Sequence, residues 1–182
     1  MPLPTLPAVA TILALTVGDG EMLRRAGDAP AKAALPAKPC TSAEFRQFDF
    51  WLGDWDVTSS TGKVAGTNRI TPILGGCALR EEWRGTSGLS GTSLNMWDAS
   101  GKRWRQTWVD DRGNVLVLVG QYRDAKMSLE GEAPGDNGMT VRNRITWSRL
   151  SEGRVRQLWE TSKDGGKSWG VEFDGTYVTR GK

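Results

Sequence analysis

From residue 54 onward, apolar and polar side chains alternate in short runs, broken by glycine, aspartate, asparagine or serine. A period of two places successive side chains on opposite faces of an extended strand. The runs predict strands over 54–60, 64–72, 77–85, 91–98, 102–110, 114–122, 125–131, 138–149, 154–162 and 168–179. Asp98-Ala99-Ser100-Gly101, Asp111-Arg112-Gly113-Asn114 and Ser151-Glu152-Gly153 have the residue types of hairpin loops. The helical signal lies earlier. Thr41-Ser42-Ala43-Glu44 offers a cap and a first-turn acid, which predicts one or two helical turns over Ser42 to Phe50. Successive antiparallel strands form a meander, and closure hides both of its edges. The expected fold is therefore all-β, an antiparallel up-and-down barrel with a short N-terminal helix. A two-sheet sandwich is the alternative, but the longer crossings it usually needs are not seen.

Residues 1–39 have a different texture. Leu6 to Val17 is mostly apolar, and at about 12 residues it is too short to span a bilayer. It reads as a weak signal peptide, with no Lys or Arg ahead of it. An Ala/Pro/Lys stretch then runs to Pro39 and reads as a linker. This divides the chain into a leader with linker over 1–39 and a barrel domain over 40–182, in a periplasmic or secreted protein. Cys40 and Cys77 are the two cysteines. In an exported protein they are expected to pair, closing a loop of about 38 residues. Two buried thiols are the alternative.

Composition narrows the chemistry. The chain has 182 residues, with 24 Lys and Arg against 21 Asp and Glu, so the net charge is only +3. Basic residues are interspersed with acidic ones, so nucleic acid is not an expected partner. The absence of histidine excludes Ser-His-Asp and Cys-His nucleophile systems and any His-ligated metal or haem within this chain. Metal-spaced acidic clusters, paired C-x-x-C motifs and phosphate loops are missing too, so no metal site and no cofactor is expected. Nine tryptophans are the conspicuous excess.

Alternation assigns many of them to the inner face. Leu79, Glu81 and Trp83 share a face, as do Trp104, Gln106 and Trp108. Val155, Gln157 and Trp159 form a third set. Met139, Val141, Asn143, Ile145 and Trp147 form a fourth. Each set joins an indole to a Gln, Asn or Glu a few positions away. Arg105-Gln106-Thr107-Trp108 is echoed by Arg156-Gln157-Leu158-Trp159.

Two motifs carry resemblances. Phe48-Asp49-Phe50-Trp51-Leu52-Gly53-Asp54-Trp55-Asp56-Val57 resembles the Gly-x-Trp opening of lipocalins and other calycins. The whole string is similar to that of uncharacterised bacterial calycin-like domains, over roughly residues 40 to 180. The resemblance implies that Gly53 and Trp55 close one barrel end and that Trp55 packs under a basic residue of the last strand, here Arg180. Ser162-Lys163-Asp164-Gly165-Gly166-Lys167-Ser168-Trp169 resembles the Asp-box of sialidases. A single copy is expected to be a structural turn, with Asp164 bonding backbone N–H groups and Trp169 pinning the loop.

These readings converge on a small-molecule ligand inside the barrel. Trp83, Trp104, Trp108, Trp147 and Trp159 would stack on a partly aromatic or glycan-like molecule, and Gln106, Asn143, Gln157 and Glu81 would orient it. The competing reading is a filled core whose amides satisfy one another. Glu81 is the weak candidate for a catalytic residue, as a buried general acid or base in a barrel enzyme. A buried arginine is its favoured partner if it has no such role. An envelope interaction protein using its outer face is a further alternative.

Overall fold

The computed structural model describes residues 39–135 and 138–181. Alternation becomes ten strands: β1 Gly53–Ser59, β2 Val64–Ile73, β3 Ala78–Gly85, β4 Ser90–Asp98, β5 Arg103–Asp110, β6 Val115–Arg123, β7 Lys126–Pro134, β8 Thr140–Arg149, β9 Val155–Ser162 and β10 Gly170–Thr179. Every strand pairs antiparallel with its neighbour in sequence, and β1 pairs with β10 to close the barrel. The closing ladder runs from Trp55 opposite Thr179 to Ser59 opposite Gly175. This up-and-down closure excludes the sandwich.

The predicted N-terminal helix is a pair of 3-10 turns, Ala43–Arg46 and Asp49–Trp51. The Ser42 hydroxyl donates to the Glu44 carboxylate at 2.6 Å instead of capping the backbone. These turns drive Phe48 and Trp51 into the barrel, where both are fully buried. Phe48 stacks on Trp51 at 4.9 Å and meets the edges of Trp104 and Trp147 at 5.6 and 5.1 Å. Such aromatic pairs add to the burial of their area. The result is a plug at the end of the barrel where the β2–β3, β4–β5, β6–β7 and β8–β9 turns lie. Arg149, at that end of β8, stacks over Phe50 at 5.0 Å.

The plug is tied down at several points. Cys40 and Cys77 form a disulfide between the segment entering the plug and the turn before β3. Trp104 donates its indole N–H to the Gln47 side chain at 3.0 Å. Gly53 opens β1 with φ +143°, a conformation that side chains other than glycine rarely adopt. A Cβ there would also lie 3.4 Å from the Trp55 ring. Trp55 in turn donates to the Trp51 carbonyl at 2.9 Å, which links the barrel wall to the plug.

Arg180 finds its charged partner on the first strand. Arg180 pairs with Asp56 at 3.5 Å, and its backbone N–H donates to the Asp54 carbonyl at 2.9 Å. Asp54 and Asp56 are exposed and alternate with buried Trp55, so the guanidinium is drawn to the outer face. Among the described residues, no helix is long and apolar enough to cross a membrane.

Candidate functional site

The plug fills only one end. Toward the other end, where the β3–β4 hairpin carries Thr86, Ser87 and Leu89, the barrel encloses a cavity of about 370 Å³. Strand polarity decides which inward residues reach it. β3, β5 and β9 all run from the plug toward the mouth, so the later residue of each inward set sits higher. Trp83, Trp108 and Trp159 therefore form the walls, and Glu81, Gln106 and Gln157 line the cavity below them. Phe173 of β10 adds a further wall, edge-on to Trp83 at 6.1 Å.

Trp104 and Trp147 lie elsewhere. Trp104 begins β5 at the plug. Trp147 ends β8, a strand that runs the opposite way, from mouth to plug. Both are buried against Phe48. Asn143 stands behind the wall: its side-chain oxygen accepts the Trp159 indole N–H at 2.9 Å and fixes that ring. Six of the nine residues expected to contact a ligand (Glu81, Trp83, Gln106, Trp108, Gln157 and Trp159) thus border the cavity.

The polar side chains form one belt around the inner wall. Asn68 of β2 donates to Glu81 at 2.7 Å, and Ser93 of β4 donates to the other Glu81 oxygen at 2.6 Å. Ser93 accepts from Asn95 at 2.8 Å and from Gln106 at 3.3 Å, and Gln106 also donates to Asn95 at 2.9 Å. On the opposite side Tyr177 donates to Gln157 and accepts a long bond from Asn68 at 3.4 Å. A shared network of this kind orders buried polar groups that would otherwise be costly. Glu81 is 5% exposed and finds neutral donors where an arginine partner was expected. Burial raises its carboxyl pKa, and the bonds from Ser93 and Asn68 offset this only in part. Burial, with Glu81 nearby, also raises the Tyr177 phenol well above its ordinary range.

Glycines let the indoles lie flat. A Cβ on Gly91 would come within 2.2 Å of the Trp108 ring, and one on Gly66 within 2.9 Å of Trp83. Gly91 faces inward, opposite Trp83 in the β3–β4 ladder. Gly91→Ala is expected to swing Trp108 away from its wall position and red-shift the tryptophan emission. Unchanged emission in a folded variant would show that the ring does not rest on this glycine.

Sequence reasoning missed the contribution of β10. A bulge between Val171 and Phe173 breaks the period of two, so the consecutive residues Glu172 and Phe173 both border the cavity. Below the bulge, Phe173, Gly175 and Tyr177 alternate regularly, a signal available in the sequence. Asn68 was readable in the same way, from Gly66, Asn68 and Ile70.

The Asp-box-like segment is a tight loop at the mouth end. Asp164 accepts from the Lys167 and Ser168 N–H groups at 3.0 and 2.9 Å and from the Ser162 and Ser168 hydroxyls at 2.7 and 2.6 Å. These bonds, the Ser168 hydroxyl first, hold its pKa far below the ordinary carboxylate range. Trp169 donates to the Gly166 carbonyl at 3.2 Å, and Arg144 lies 4.0 Å above its ring. Every Asp164 contact closes the loop, which leaves this carboxylate a structural role.

Among the described residues, no cluster of His, Cys, Asp or Glu could hold a metal ion. No protein-family model matches the chain, and no curated protein matches it at a significant level.

Proposed function

We propose that this protein is an exported, calycin-like barrel that binds a small, partly aromatic or glycan-like molecule without transforming it. The observation that carries the reading is the cavity itself. Its volume of about 370 Å³ falls within the range of roughly 300–1,000 Å³ typical of small-molecule sites. A filled core would leave no space between the walls Trp83, Trp108 and Trp159. Here these indoles border open space together with the polar side chains Glu81, Gln106 and Gln157. That arrangement gives stacking faces for rings and hydrogen-bonding groups to orient them. Both Glu81 oxygens are engaged by Asn68 and Ser93, which favours an orienting role over proton transfer.

Export is supported by the Cys40–Cys77 disulfide, since such bonds persist in oxidising compartments. Of the proposed leader and linker over residues 1–39, residues 1–38 lie outside the described residues. Kinship with calycins is supported by the place of Gly53 and Trp55, at the start of the first strand and against the plug.

Titration with a library of aromatic and sugar ligands tests the function. Ligands that bind are expected to change tryptophan emission. Trp159→Leu is expected to weaken them about tenfold or more, as loss of a stacking face implies. A library that leaves both emission and calorimetric heat unchanged sinks the reading.

A further inference from the structure

The cavity has an unbalanced charge. Two carboxylates, Glu81 and Glu172, border it, and among the described residues no Lys or Arg does. This is a local feature, because the outer wall pairs its acids with cations. Asp98 meets Arg105 at 2.8 Å, Asp174 meets Arg156 at 2.8 Å, and Glu160 meets Arg144 at 3.0 Å. Buried carboxylates normally find a cation or a metal, since an uncompensated charge in a low-dielectric site is expensive. Glu81 has only the neutral donors Asn68 and Ser93.

The walls point the same way. Trp83, Trp108, Trp159 and Phe173 present aromatic rings around the space above Glu81. Ring faces carry negative quadrupolar potential and attract cations, most strongly for indoles and away from water. Aromatic walls alone would accept any flat apolar molecule. Aromatic walls above a carboxylate with no cationic partner discriminate by charge. We propose that the barrel cavity is selective for an organic cation, an arylalkyl ammonium whose charged nitrogen is held by Glu81 and the indole faces while its ring stacks on the same walls. This rests on the ligand-binding reading above and narrows it to a substrate class.

Proton linkage follows from the groups facing Glu81. These are Asn68 from β2, Ser93 from β4 and Tyr177 from β10, with Glu172 at the mouth. Glu81 is the buried carboxyl, and the Tyr177 phenol, raised well above its ordinary range, stays protonated at neutral pH. Burial raises the Glu81 pKa, so protonation weakens the pull on a cation as the pH falls. Preference for a cation therefore grows as pH rises.

Three probes of one shape separate the possibilities: 2-phenylethylammonium, 2-phenylethanol and phenylacetate, titrated calorimetrically into the full chain. The cation is expected to bind about tenfold or more tighter than the alcohol, with the anion weakest. Glu81→Gln should abolish the cation's advantage over the alcohol. An unchanged far-ultraviolet dichroism spectrum and urea midpoint show that the variant is folded. Glu172→Gln should reduce the cation's advantage less, since that side chain is exposed. If the alcohol or the anion equals the cation on the wild-type protein, charge selectivity is overturned while ligand binding stands. If none of the three binds, and none of the wider library does, both proposals fall.

Discussion

Replacing Trp51 with alanine is expected to destabilise the barrel by about 3–5 kcal/mol, the range for removing a large buried aromatic. Trp51 is fully buried and touches Phe48, Trp147 and Tyr177 through its ring. Its indole N–H has no hydrogen-bond partner among the described residues, so the loss is one of packing alone. Trp51→Phe should therefore recover most of the difference, leaving a deficit of roughly 1–2 kcal/mol from the smaller ring. Urea unfolding followed by far-ultraviolet dichroism measures both variants. Equal stability of alanine and phenylalanine at this position would mean that the plug does not depend on an aromatic ring here. The carbonyl that accepts from Trp55 belongs to the backbone and survives either change.

Cys77→Ser is expected to have an effect of similar size. The two half-cystines are 37 positions apart, and the chain-entropy account of a loop this long gives about 4 kcal/mol. Part of that loss would be local, because Cys40 fixes the segment that enters the plug. Reducing agent should shift the wild-type urea midpoint to that of the variant and leave the variant unchanged. A wild-type midpoint insensitive to reduction would show that packing and hydrogen bonds, such as those from Trp104 to Gln47 and from Trp55 to Trp51, hold the plug without the disulfide.

Inner and outer faces were legible in the sequence because a strand's period is short and strict. Each of the ten predicted strands is present, with ends displaced by a few residues at most. Depth along the barrel axis was not legible from face alone. Trp108 and Trp147 have the same inward orientation, yet one borders the cavity and the other packs on the plug. The difference is strand direction, which reverses at each hairpin of a meander. Counting hairpins from the plug would have separated them. Glu81 shows a second limit. Alternation places it inside, but its partners come from β2 and β4, and their identity depends on register. The bulge in β10 is a third, since no residue pattern marks where Glu172 would rotate inward.

Closure between β1 and β10 has a consequence for biogenesis. Until Gly170–Thr179 has been synthesised, the first strand has no partner on one side. Nine strands then present two bare rims of backbone N–H and C=O groups, a template for joining other chains. A chain stopped short of its final strand should clump instead of merely losing affinity, and its survival in the cell would depend on how promptly a chaperone covers those rims.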